Sequence, residues 1–96
     1  MVYKTVRIDW DDSKSERLKR ERGVSLEEAA QMLASGYVTD RKNDDPEQHY
    51  AVGFVHGQLV TLIYEYRDGV DGETVWLITC WKATKREAKI YEQNRR

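Results

Sequence analysis

The segment from Leu59 to Glu92 constrains the fold of this chain more than any other. Leu59–Arg67 and Thr74–Lys82 each read as a strand with apolar residues on both parities, so the middle of their sheet is expected to be covered on both faces. Between them, Asp68-Gly69-Val70-Asp71-Gly72 supplies turn chemistry. The second strand runs directly into Thr84, with Glu87 three residues on, the reciprocal capping pattern that opens a helix. Ala88, Ile90 and Tyr91 are that helix's inward candidates, with Ala83 and Ala88 at staple positions. Polar side chains collect where these elements meet: Tyr64, Glu65, Arg67, Lys82, Thr84, Lys85 and Arg86. Phosphate recognition or catalysis is expected there first.

The preceding chain supplies the rest of the sheet and its cover. Val2–Trp10 reads as a strand at or near an edge. Ser13 with Glu16 offers a capping box for a helix through Arg22, whose one strong apolar residue, Leu18, predicts shallow packing. Gly23 closes it in a left-handed conformation. Ser25 with Glu28 caps a second helix, Val24 can staple against Ala29, and Leu26, Ala29, Ala30 and Leu33 form the buried stripe. Gly36 ends it, and the two helices predict a bent hairpin packed on the sheet. Tyr37–Asp40 suggests a short strand and Arg41–Glu47, with Pro46, an exposed loop. Gln48–Val55 is a clearer strand: Gln48, Tyr50, Val52 and Phe54 on one face; His49, Ala51, Gly53 and Val55 on the other, small enough at its centre for a helix backbone to approach. His56-Gly57 is a tight turn into Leu59–Arg67. Three strands on short links predict antiparallel neighbours, with the first strand added at one side.

Ninety-six residues, 40% hydrophobic and 34% charged, hold one core, hence a single domain over 1–96. No apolar run is long enough to cross a bilayer and no signal-peptide pattern precedes the first strand. The lone Cys80 cannot form an internal disulfide, so a cytoplasmic protein is expected. The net charge of -1 hides an uneven distribution: of 16 Lys and Arg, five lie in Lys14–Arg22 and six in Lys82–Arg96. Two basic helices could share one positive face, or each could be a solvated flank.

Two segments resemble a known family. Asp9-Trp10-Asp11, then Lys14, then Arg22-Gly23-Val24-Ser25-Leu26-Glu27-Glu28-Ala29 are similar to the N-terminal signature of the BrnT family of bacterial toxins. Lys82-Ala83-Thr84-Lys85-Arg86-Glu87, with Tyr91-Glu92, is similar to that family's closing helix, and Gly53 and Tyr64–Arg67 fall at the expected intervals. The resemblance covers about Ile8 to Glu92. It implies an α+β, RelE-like fold: a small antiparallel sheet, an N-terminal helical hairpin and a C-terminal helix. It further implies RNA cleavage that stops translation, and neutralisation by a BrnA-like antitoxin whose ribbon-helix-helix part binds DNA; DNA would then be met only through that partner. Where family members read Arg-Ile-Ile-Ser-Ala-Arg, this chain has Trp76-Leu77-Ile78-Thr79-Cys80-Trp81. Leu18 stands for a family Asn, Glu21-Arg22 for Lys-His, and His49 for a residue that is commonly basic; Arg67 is kept.

Metal-independent RNA cleavage needs a base for the 2′-hydroxyl, a cation for charge developing on phosphorus and a proton for the leaving 5′-oxygen. His49 and Glu65 are the acid or base candidates, and Arg67 and Lys82 the phosphate-binding cations. Lys14, Thr84, Lys85 and Arg86 could add RNA contacts, the last three beside a helix N-terminus. Trp76 and Trp81, on opposite strand faces by parity, could stack bases, or serve as core or partner contacts. His49 could equally be an ordinary strand histidine, Glu65 a cross-strand ion pair, Arg67 a solvated strand end and Cys80 an inert buried thiol. Scattered acids and two histidines give no ligand spacing, so no metal or cofactor is expected. An endoribonuclease toxin is the first reading. A catalytically weakened toxin fold that binds RNA or protein without turnover is the second.

Overall fold

The computed structural model describes residues 6–44, 47–69 and 72–94. Five strands, β1 (Val6–Asp9), β2 (Tyr37–Asp44), β3 (Glu47–Val55), β4 (Gln58–Gly69) and β5 (Gly72–Lys82), form one sheet in the order β1-β5-β4-β3-β2. The run from β2 to β5 is antiparallel, as hairpin-length links require. At the β3–β4 turn, His56 (φ 49) and Gly57 (φ 76) both adopt the positive φ that a two-residue hairpin loop demands.

Two sequence expectations about the strands need correction. The sheet is mixed, because β1 lies parallel to β5 at the edge. No hairpin joins those strands: the whole helical segment and β2, β3 and β4 lie between them in the chain, so nothing local imposes antiparallel pairing. Arg41–Glu47 is not mainly a loop: β2 continues to Asp44 and β3 begins at Glu47, with a register shift between Arg41 and Asn43. Polar composition misled there because this is an edge strand, where charged side chains are tolerated and discourage further pairing. Pro46, and residues 2–5 of the expected first strand, lie outside the described residues.

Helix α1 (Asp12–Arg22) starts earlier than Ser13 would set it. Asp11 is the cap, accepting the Lys14 N–H at 3.0 Å, and Gly23 (φ 80) closes the helix by donating its N–H to the Lys19 carbonyl. Helix α2 (Leu26–Ala30) carries the expected capping box: Glu28 N–H donates to Ser25 Oγ at 3.0 Å and Ser25 N–H to Glu28 Oε1 at 3.0 Å. It tightens into a 3₁₀ turn over Gln31–Ala34, which buries Met32 beside the predicted Leu26 and Ala29. Buried Ser15 ties the two helices together, its Oγ accepting the Leu26 N–H at 2.9 Å and the Glu27 N–H at 3.2 Å.

The core lies between these helices and one face of the sheet: Leu18, Val24, Leu26, Ala29 and Met32 against Ala51, Val55, Val60, Leu62, Tyr64, Leu77 and Cys80. Fully burying each large aliphatic side chain stabilises by roughly 1.5–3 kcal/mol. Gly53 admits the helical layer, since a Cβ there would sit 3.2 Å from the Gly36 carbonyl oxygen and 3.3 Å from Met32 Cβ. On the other face, α3 (Lys85–Asn94) packs over β2 and β3, with Tyr91 edge-on to Phe54 at 5.5 Å. The two basic helices therefore lie on opposite faces of the sheet, and among the described residues only Arg22 of the α1 cations, at the helix end, reaches a residue that faces the α3 side. No helix among the described residues is long and apolar enough to cross a membrane.

Candidate nucleic-acid interface

Helix α3 covers Thr61 and Ile63, which are buried, and leaves the far end of β4 and β5 more open, with Arg67 exposed and Glu65 and Trp76 half-buried. Four rows cross this face in register: Arg67 opposite Thr74, Glu65 opposite Trp76, Ile63 opposite Thr79 and Thr61 opposite Trp81. Trp76 and Trp81 have opposite parity, which in an unbroken strand would send them to opposite faces. The register shift corrects this. Ile63 pairs with Thr79 while Tyr64 pairs with Leu77, so Ile78 is an extra residue and both tryptophans emerge on one face.

At one end of this strip, Arg67 donates from Nε to Glu65 Oε1 at 2.7 Å, its Nη2 lies 2.6 Å from the same oxygen, and its guanidinium carbon sits 4.5 Å from the centre of the Trp76 ring. The carboxylate fixes the guanidinium laterally and the indole supports it from below. One surface of Trp76 is thereby occupied, so a base arriving here would meet the arginine plane before the indole.

At the other end, Arg22 reaches the strip from α1 on the far face. β1 pairs with β5 only from Glu73 to Trp76, leaving the later edge of β5 open on that side. Arg22 wraps that edge, donating from Nη1 to Thr79 Oγ1 and to the Cys80 carbonyl, both at 3.1 Å, 5.9 Å from the Trp81 ring centre. The expected site residues did not include Arg22; its place directly before Gly23, where the resembled family has His, was the available signal.

Thr84 and Glu87 form the predicted box: the Glu87 N–H donates to Thr84 Oγ1 at 3.2 Å, and the Thr84 N–H donates to Glu87 Oε1 at 2.8 Å. That oxygen also accepts Thr61 Oγ1 at 3.0 Å and the Trp81 indole N–H at 2.9 Å. Burial pushes the Glu87 carboxyl up, but hydrogen bonds from Thr84, Trp81 and Thr61 outweigh it, and the group is held below its usual range. Arg86 joins Tyr50, Trp81, Thr84 and Ile90 around a cleft of about 250 Å³ under α3, and Lys85 stands exposed at the helix start.

The remaining expected site residues lie elsewhere. His49 is on the helix-packed face, stacked on Tyr64 at 5.5 Å, edge-on to Tyr66 at 5.2 Å, with Nε2 3.1 Å from Glu47 Oε1. Tyr64 bonds Thr39 Oγ1 at 2.6 Å, and since Thr39 donates to the Tyr50 carbonyl, Tyr64 supplies that proton; burial pushes its hydroxyl up to about 12. Lys82 lies on the same face as His49, beside Gly23 in a cavity lined also by Lys19, Glu28 and His56. It pairs with Val60, seven residues from Arg67 along β4, about 23 Å at strand rise. Lys14 is in the first turn of α1, on the helical side. The ten residues thus do not share one pocket: Glu65, Arg67 and Trp76 meet at one end of the open strip, Trp81, Thr84, Lys85 and Arg86 gather at the other, and His49, Lys82 and Lys14 are behind the sheet. Cys80 is buried, its Sγ 3.7 Å from the Val24 carbonyl, and burial pushes its thiol up to about 11.

Alternating guanidinium and indole groups along one sheet face suit unpaired nucleic acid, with cations for phosphates and flat groups for bases. Among the described residues, no group of three His, Cys, Asp or Glu side chains is placed to hold a metal ion. No curated protein matches the chain. A family model described as ribonuclease toxin, BrnT, of type II toxin-antitoxin system matches residues 10–87.

Proposed function

The chain belongs to the BrnT family of ribonuclease toxins of type II toxin-antitoxin systems, and from that membership we propose that it cleaves single-stranded RNA on the open β4–β5 face without a metal ion, thereby stopping translation in the cytoplasm. One observation carries the assignment of that face: Arg67, held by Glu65 and supported by Trp76, lies on the same side of the sheet as Arg22, Trp81 and Arg86. Glu65 accepts the proton of the attacking 2′-hydroxyl, and Arg67 stabilises charge developing on phosphorus. Arg22, Lys85, Arg86 and Thr84 hold flanking phosphates, and Trp81 supports a neighbouring base. Bulk water, which reaches the exposed Arg67, supplies the proton for the leaving 5′-oxygen. His49, Lys82 and Lys14 take no part.

Membership in this family implies an antitoxin protein as partner. We assign that role to a BrnA-like ribbon-helix-helix protein, which would bring the complex to DNA. In the same reading, α1 and α2 are the helical hairpin of a RelE-like fold.

A second reading rests on a specific observation. His49 and Tyr64, groups able to deliver a proton, are on the far face from Glu65 and Arg67. A protein that grips RNA or a partner without turnover would need no such donor. Expression of the chain alone separates the readings. The nuclease reading expects growth arrest with fragmented RNA, relieved by Arg67→Ala and by co-expression of a ribbon-helix-helix antitoxin. Intact RNA and unimpaired growth, with RNA still bound by purified protein, would leave the binding module.

A further inference from the structure

β1 extends the open face by one strand. Arg7 pairs in register with Thr74, and Thr74 pairs with Arg67, so the three side chains leave the same face in one row. Strand spacing sets the Cα atoms of the two arginines about 10 Å apart, with a hydroxyl-bearing residue between them. Arg67 has Nε and Nη2 engaged by Glu65 and retains other N–H donors. Arg7 is exposed, and among the described residues its side chain has no hydrogen-bond or ion-pair partner. The acid two residues along, Asp9, accepts the Trp10 N–H on Oδ1 at 2.8 Å.

We infer that Arg7, Thr74 and Arg67 form a phosphate-binding row for single-stranded RNA, so that the bound strand crosses from β4 over β5 onto β1. The inference rests on the reading of this face as the RNA-binding surface and adds a second cation, beside Arg67, to its catalytic end. Two arginines flanking a hydroxyl offer a phosphate several N–H donors and an O–H donor. A charge on an edge strand also discourages unwanted sheet pairing, but that role predicts no effect on RNA affinity.

The test is fluorescence-anisotropy titration of the full chain with a labelled single-stranded 2′-O-methyl RNA, which cannot undergo 2′-hydroxyl attack, over a range of salt concentrations. Arg7→Gln should weaken binding and reduce the slope of log affinity against log salt by about 0.7, the loss of one phosphate contact on a single strand. Arg7→Lys should retain most of the slope. Arg67→Ala should lower it as well. A wild-type protein that does not bind would overturn the RNA reading of the face, and this inference with it. Binding that is sensitive to Arg67→Ala but unchanged in affinity and slope by Arg7→Gln would overturn the inference alone. Thermal melting of each variant checks folding; should Arg7→Gln melt early, Arg7→Glu read in a salt series against a 2′-O-methyl duplex control decides, and equal affinity to wild type for single strands would again overturn it.

Discussion

Trp81 donates its indole N–H to Glu87 Oε1 at 2.9 Å, fastening the last strand to the last helix. The same oxygen receives the buried Thr61 hydroxyl and the Thr84 N–H, so one carboxylate holds a strand floor, an aromatic wall and a helix cap. Glu87→Ala should therefore lower stability by about 2–4 kcal/mol in urea unfolding, combining a lost cap with a buried hydroxyl left unsatisfied. Tryptophan emission should shift to the red as Trp81 loses its partner. A change under about 0.5 kcal/mol, the range of surface substitutions, would show that Glu87 does not organise this junction.

The pH dependence follows from the same group. Glu87 and Glu28 are both held below the usual carboxyl value of 4.5. In Glu87 the hydrogen bonds overcome burial; in Glu28 the leading cause is hydrogen bonding from Lys19, then from the Ser25 N–H. A folded carboxyl that ionises more readily than its unfolded counterpart contributes stability in full above the unfolded value and loses it as pH falls through the folded value. Stability measured by denaturant should hold level down to about pH 5 on account of these two groups and decline below that. Glu87→Gln should flatten part of the decline. An unaltered acid limb in that variant would contradict the assignment.

Ser15 is a hydroxyl inside α1 that caps another helix. Replacing it by alanine removes the acceptor for the Leu26 and Glu27 N–H groups, the first of them in a buried contact. Ser15→Ala should cost about 1–2 kcal/mol in equilibrium unfolding, against a few tenths for Ser13→Ala, because Asp11 and not Ser13 caps α1. Equal effects at the two positions would refute this distribution of roles.

Gly53 lies where the 3₁₀ turn crosses the sheet. Its missing Cβ would meet backbone at Gly36 and the Cβ atoms of Tyr37 and Met32 at 3.2–3.3 Å, none of them the far end of a flexible side chain. Gly53→Ala should destabilise by about 1–3 kcal/mol, and Gly53→Val by more. A thermal melt of Gly53→Ala at or above wild type would mean that the helical layer moves aside freely.

Most local chemistry was legible in the sequence, although Asp11, and not the expected Ser13, caps the first helix. The Ser25–Glu28 and Thr84–Glu87 boxes, the Gly23 terminus, the His56-Gly57 turn and the small residue at Gly53 each follow from residues close together in the chain. Parity failed at Ile78, because one inserted residue inverts every later side chain of β5 and no residue type announces it. The parallel edge strand and the reach of Arg22 around β5 depend on which element passes which edge, a relation between segments more than fifty residues apart. His49 and Lys82 were grouped with Glu65 and Arg67 by chemical suitability; strand register separates them onto opposite faces.

The most direct measurement is single-turnover cleavage of a single-stranded RNA by the purified protein, comparing Arg67→Ala, Glu65→Gln and His49→Ala with wild type. The open-face account predicts that either of the first two lowers the rate at least ~100-fold, as loss of a proton acceptor or of transition-state charge stabilisation should. It predicts that His49→Ala, altering only the far face, keeps most of the activity. An inert His49→Ala beside a fully active Arg67→Ala would contradict it and move the chemistry to the tyrosine-lined face behind the sheet.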